Sequence, residues 1–197
     1  MNNLHLFELI NAAPGMGRLQ LLGATALANG LIWLVPLALT LAWVRGSRSA
    51  RLELLHAVLA VGLALGLAQI VAQLWPQPRP FVLHLGTQYL EHSADPGLPS
   101  DHVVVFWSLA LALLRSRTFG MWGFPTLALG LLVGWSRVYL GVHFPLDVLA
   151  ALPVAWAATM LAHALHRPLF PLYEWVLRCH DRLARRLRPG VDPPRKA

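Results

Sequence analysis

His143 and Asp147 stand four residues apart, so one turn of helix would place an imidazole and a carboxylate on the same face. A neutral imidazole is a competent nucleophile towards phosphorus when a carboxylate fixes its tautomer and supports the positive charge that develops. The pair Ser136-Arg137 precedes His143 with five residues between, and a second arginine opens the pair Arg79-Pro80. Guanidinium groups, with planar forks of donors, suit phosphoryl transfer, which depends on positioning and on stabilising charge over the equatorial oxygens. Between the two arginines, Pro99-Ser100-Asp101-His102 supplies a hydroxyl and a second imidazole where a helix is expected to begin. The free amides of such a start add donors for a phosphate. Taken singly, these residues have plainer explanations: the arginines as interfacial snorkelling side chains, His102 as a helix-start residue at the water boundary. Asp101 stays open between an N-cap and a substrate contact.

The elements that must hold these residues are set by composition. Of 197 residues, 56% are hydrophobic and only 13% charged, and the mean hydropathy is +0.54, too apolar for an ordinary soluble chain of this size. Leu21 to Val44 carries no ionisable side chain and is long enough to cross about 30 Å of hydrocarbon at about 1.5 Å per helical residue. Further spans are expected at about Leu52 to Leu74, from Pro99 to Leu114, from Phe119 to Tyr139, and from Phe144 to about Ala164. Residues 75 to 101, with five prolines, read as a loop. Leu4, Phe7 and Ile10 give a short apolar face before Pro14-Gly15, expected as a helix lying in the membrane interface. No signal-peptide pattern precedes the first span, so insertion is expected to rely on the spans themselves. The expectation is an all-α integral membrane protein, a bundle of five spans plus an N-terminal interfacial helix. Residues 1–166 would form the membrane domain and 167–197 a basic cytoplasmic tail, with Tyr173 to Leu187 as an amphipathic surface helix.

Charge placement tests this layout. The turns at 45–51 and 115–117 and the tail after 166 hold thirteen of the 16 basic residues, which assigns them to the cytoplasm. The opposite, outer face then gathers Gln73, Gln77, Arg79, Ser100, Asp101, His102, Ser136, Arg137, His143 and Asp147. Ionisable groups at membrane depth are costly and mark function. The net charge of +7 would suggest nucleic acid in a soluble chain, but attraction of the tail to anionic lipids explains it more simply, and no nucleic-acid partner is expected. His84, Glu91, His92 and Asp95 match no metal-ligand spacing and are expected as solvated loop residues. His56, His163 and His166 are expected at the interface, and the single cysteine, Cys179, as a surface thiol.

Arg79-Pro80, Pro99-Ser100-Asp101-His102, and Ser136-Arg137 with His143 and Asp147 at fixed spacing together resemble the type 2 phosphatidic acid phosphatase family. Its pattern is K-x6-R-P, P-S-x-H and S-R-x5-H-x3-D. The second and third motifs match in full; the first lacks its lysine, which would fall at Ala72, beside Gln73. The wording of the motifs is similar to the bacterial undecaprenyl-diphosphatase branch. The resemblance implies His143 as the nucleophile that becomes phosphohistidine, with Asp147 as its partner. His102 would protonate the leaving oxygen and later activate water. Arg79, Ser100, Arg137, Ser136, Gln73 and Asp101 would bind phosphate, and neither metal nor cofactor is implied.

The substrate so implied is undecaprenyl diphosphate, cleaved to undecaprenyl phosphate and phosphate in a bacterial inner membrane, with the site facing the periplasm. The same motifs serve phosphatidylglycerol phosphate, phosphatidate and the phosphates of lipid A. A non-catalytic binder or transporter of lipid phosphate is the rival outside the enzyme class, but it has no need of a His/Asp pair with a second histidine, nor does the chain show broken helices in paired halves. Oligomeric state is not legible.

Overall fold

A computed structural model describes residues 2–187, and all regular structure in it is helical. The helices are α1 (Asn3–Ile10), α2 (Arg18–Thr25), α3 (Leu34–Arg45), α4 (Arg48–Leu74), α5 (Asp101–Leu114), α6 (Gly123–Tyr139) and α7 (Pro145–Leu187). α2 and α3 belong to one helical rod, Arg18–Arg45, joined through a π turn at Ala26–Gly30 and a 3₁₀ turn at Leu31–Trp33. Pro36 lacks the N–H that would bond the carbonyl four residues back, and Asn29-Gly30 is a poor helix former, so the regular ladder gives way there.

Three helices are long and apolar enough to cross a membrane: Arg18–Arg45, α4, and α7 as far as Arg186. α5 and α6, with 14 and 17 residues, are shorter, though a 3₁₀ turn at Gly120–Trp122 leads directly into α6. The described residues are thus all-α, with helices of the kind an integral membrane protein needs. α4, α5 and α7 pack around Ala57, Ala60, Ala64, Ala68, Ala151, Ala155 and Ala158, small residues that let helix axes approach closely where no water is present to drive association. α6 closes on α5 through Gly130 and Gly134, a small-xxx-small pair whose missing side chains make room for Trp107, Val103 and Val148.

Two expectations change. α7 passes without a break through the expected domain boundary at 166/167 and carries Pro153, Pro168 and Pro171 inside it. Its late turns are held by burial of Tyr173 and Leu177, by a Trp43 Nε1 hydrogen bond to His180 Nδ1 at 3.1 Å, and by Arg48, which pairs with both Glu174 and Asp181. Tyr173 to Leu187 is therefore a continuation of the last bundle helix, not a separate surface helix. Arg188, Arg195 and Lys196 of the expected tail lie outside the described residues. The short N-terminal helix also does more than lie at an interface. Phe7 is fully buried and meets Phe144 edge-on with ring centroids 5.3 Å apart. Just after α1, Asn11 accepts from Thr87 N at 2.7 Å and donates to the carbonyls of Thr87 and Tyr139. One side chain thereby pins the outer loop to the end of α6.

Candidate active site

The turn between α6 and α7 places His143. α6 ends in a Schellman arrangement: Val142 N bonds Arg137 O at 3.1 Å and Gly141 N bonds Val138 O at 3.0 Å, with Gly141 at φ +80°. A Cβ at Gly141 would strike the Thr87 carbonyl, so only glycine fits. Pro145 then opens α7, and Asp147 in its first turn accepts from Phe144 N at 2.8 Å through Oδ2. The same Oδ2 lies 3.3 Å from His143 Nδ1. On the other side of the ring, His143 Nε2 is 2.9 Å from Arg79 Nη1. A guanidinium can only donate, so Nε2 is the acceptor and Nδ1 carries the proton towards Asp147. The lone pair of Nε2 is thereby held free of a proton. His143 stands in the connection between helices, 2% exposed, and burial, then the charges of Arg137 and Arg79, hold its imidazole well below the ordinary histidine range.

Arg79 follows the exposed end of α4 and is itself only 4% exposed. The outer loop wraps it: Nε donates to Asp95 O at 3.0 Å and lies 3.3 Å from Asp95 Oδ1, Nη1 donates to Val142 O, and Nη2 reaches Pro96 O at 3.4 Å. Gly97 lets this loop close over the pair, since a Cβ there would lie 3.1 Å from Asp147 Oδ2 and 3.2 Å from Arg79 Cγ. Ser100 N bonds Asp147 O at 3.0 Å, which ties the start of α5 to the start of α7. Ser100 occupies the N-cap position of α5 without capping it, and its hydroxyl is buried with no partner among the described residues. Arg137, 1% exposed, likewise leaves Nε unpaired. Both groups are hydrogen-bond donors of the kind an anion accepts from.

The remaining expected residues fall at different distances from this centre. His102 sits in the first turn of α5, half-buried and within electrostatic reach of Arg137 and His143. Asp101 does not cap α5; its carboxylate accepts from Gln69 Nε2 at 3.3 Å. Ser136 is buried and its hydroxyl donates to Val133 O at 2.7 Å within its own helix. Gln73 is exposed near the end of α4. Gln69, one turn earlier, is the amide that meets the site's acidic side, a contact that helical phase could have suggested.

The expectation of solvated loop residues is corrected for His92, while Asp95, though exposed, is tied to the site. Asp95 pairs with Arg79, and although burial acts upward on its carboxyl, the Ser93 hydroxyl and Arg79 hold it below the usual carboxylate range. The ring of His92 lies 6.3 Å from that of His143, centroid to centroid. Burial, then Arg79, keep the His92 imidazole below its ordinary value. His84 and Glu91 stay exposed.

A membrane helix bundle holding a carboxylate-supported histidine among buried arginines defines a lipid-phosphatase type of enzyme. The chain belongs to the PAP2 superfamily, whose model matches residues 53–171. It is 38% identical over 151 residues to YbjG of Escherichia coli (strain K12), covering 76% of this chain and 75% of that one. Undecaprenyl-diphosphatase BcrC of Bacillus subtilis (strain 168) is 32% identical over 146 residues, 74% of each chain. The crystal structure of Aquifex aeolicus LpxE superposes with a TM-score of 0.67 at 23% identity, over 82% of this chain and 94% of that one, which confirms the fold.

Proposed function

We propose that this phosphatase hydrolyses undecaprenyl diphosphate to undecaprenyl phosphate and inorganic phosphate, returning a carrier lipid to cell-wall synthesis from a site on the periplasmic side of a bacterial inner membrane. The observation that carries the reading is the His143 ring fixed between Asp147 and Arg79, with Nε2 unprotonated. A terminal phosphoryl group entering beside Ser100 and Arg137 gives Arg79 a better acceptor than the imidazole, and the guanidinium swings onto its oxygens. His143 Nε2 then attacks phosphorus, the bridging P–O bond breaks, and Asp147 supports the imidazolium that forms. His102 delivers a proton to the departing lipid phosphate. It next takes a proton from water, which attacks the phosphohistidine and releases phosphate. The relatives' names support the lipid, and a site on the outer face, which the positive-inside rule predicts, would agree with where that diphosphate is released.

Purified full-length protein, assayed with a chelator present, is expected to release phosphate from undecaprenyl diphosphate faster than from phosphatidylglycerol phosphate. His143→Ala is expected to lose at least about a thousandfold in rate, as removal of a covalent nucleophile does. No release from either lipid by the parent protein would remove the enzyme reading. Faster turnover of phosphatidylglycerol phosphate would reassign the substrate.

A further inference from the structure

The first motif is short of one cation. The resemblance calls for a lysine at Ala72, and α4 offers a methyl group there instead. Ala72 lies three residues beyond Gln69, whose amide touches Asp101, so the same face of α4 looks towards the site. The permanent positive charges left are Arg79 and Arg137, and Asp95, Asp101 and Asp147 stand close to them. A phosphoryl substrate that brings more than one negative charge therefore meets a site with little positive excess.

His92 stands where a third donor is needed. It comes from the outer loop, with a side chain only 21% exposed although its neighbours Glu91, Ser93 and Ala94 lie in the open. Its Nδ1 side is tethered: that nitrogen is 3.1 Å from Ser93 O and 3.5 Å from Asp95 Oδ1. Asp95 is in turn held by the Ser93 hydroxyl at 2.7 Å and by Arg79 Nε. The loop thus fixes the ring by one edge, and the ring meets His143 at 75° with centroids 6.3 Å apart. At that separation both rings reach the same phosphoryl group. Arg137 and His102 share the neighbourhood, since each is close enough to His92 for their charges to interact.

We propose that His92 is a phosphate-binding residue of this site: Nδ1–H stays on the Ser93 carbonyl, Nε2 takes up a proton together with the incoming phosphoryl anion, and the imidazolium so formed donates from that edge to the group that His143 attacks, standing in for the lysine replaced by Ala72. The assignment rests on the reading of the site as a phosphoryl-transfer centre and is independent of which lipid is cleaved. A hydrogen bond to a charged group contributes about 1.5–3 kcal/mol, which corresponds to roughly ten- to a hundredfold in affinity.

Isothermal titration of inorganic phosphate into the detergent-solubilised full-length chain tests it directly, with parent, His92→Ala, His92→Gln and the double variant Ala72→Lys/His92→Ala compared. His92→Ala is expected to weaken phosphate binding about tenfold or more, His92→Gln less, and the added lysine to bring affinity back to within about threefold of the parent. In lipid turnover the same variants are expected to raise KM more than they lower kcat. Binding by His92→Ala within twofold of the parent overturns the assignment. Weakened binding without recovery by the lysine also overturns it, because a purely structural role for His92 would not be rescued by a cation from another helix. A parent protein that binds phosphate but hydrolyses no lipid diphosphate would sink the proposed substrate and leave this assignment standing.

Discussion

At the scale of the residue, the state of His143 decides whether the site is ready. Its pKa in the fold lies below the roughly 6.5 of an unfolded histidine, so the neutral, nucleophilic form persists as pH falls through that value. The unfolded chain takes up the proton first, so this group lowers stability as pH drops below about 6.5 and has no such effect above it. A ¹³C-histidine NMR titration, with His143→Gln to assign the signal, is expected to show His143 still neutral at pH 6. A midpoint at or above 6.5 would contradict the buried, cation-flanked environment. The sequence made this residue legible because its partner is local: Asp147 is one turn away, and the turn chemistry of Gly141 and Pro145 is written beside it. His92 and Asp95 were not legible. Their place depends on Arg79, Val142 and Gly97 meeting across the fold, and no spacing rule encodes a loop laid over a guanidinium. Gln73 and Gln69 differ by a helical turn, which motif position ignores and the geometry of α4 does not.

At the scale of the element, the turn that holds His143 and leads to Asp147 is only as well placed as the helices beneath it. Gly134 lies three residues before Arg137, and a Cβ there would lie 2.6 Å from Val148 Cγ1 and 3.2 Å from Val103 Cγ2. Gly134→Leu must push α6 from α5 and α7, which for overpacking costs about 1–3 kcal/mol. It also moves Arg137, and misplacement of about 1 Å can cost on the order of a hundredfold in rate. Gly66→Leu, on α4 with nothing within 4 Å, supplies the matched control. Thermal unfolding in detergent and kcat/KM are expected to fall clearly for Gly134→Leu and little for Gly66→Leu. Equal behaviour of the two would mean that the close approach is not needed. Hydropathy and Pro/Gly punctuation marked where these helices lie, but they misjudged the end of α7. The change from an apolar run to the basic segment after 166 read as the start of a tail, whereas α7 continues although Pro168 and Pro171 each remove a backbone donor from it. Ties from Arg48 and Trp43, far away in sequence, and the burial of Tyr173 and Leu177 keep the helix going.

At the scale of the whole molecule, helix direction and charge agree. α4 runs from the basic turn to the site, α5 from the site to Arg115 and Arg117, and α7 from the site to the arginines of its last turns. The end that carries His102, His143 and Asp147 is therefore opposite the end that carries most of the basic residues, and the positive-inside rule turns that polarity into an orientation. The helix polarity was legible in the sequence because it needs only the order of the helices and the position of arginines, not any side-chain contact. Chemical labelling in intact cells tests it. In a Cys179→Ser background, single cysteines at Glu91 in the loop before α5 and at Ser49 in the first turn of α4, both exposed, report the two ends. With the outer membrane permeabilised and the inner membrane intact, a membrane-impermeant maleimide is expected to label Glu91→Cys and to leave Ser49→Cys unlabelled until the cells are lysed. The reverse pattern would place the phosphatase site in the cytoplasm. The substrate would then have to be a lipid phosphate presented on the inner leaflet, and the recycling role proposed above would fall with the orientation.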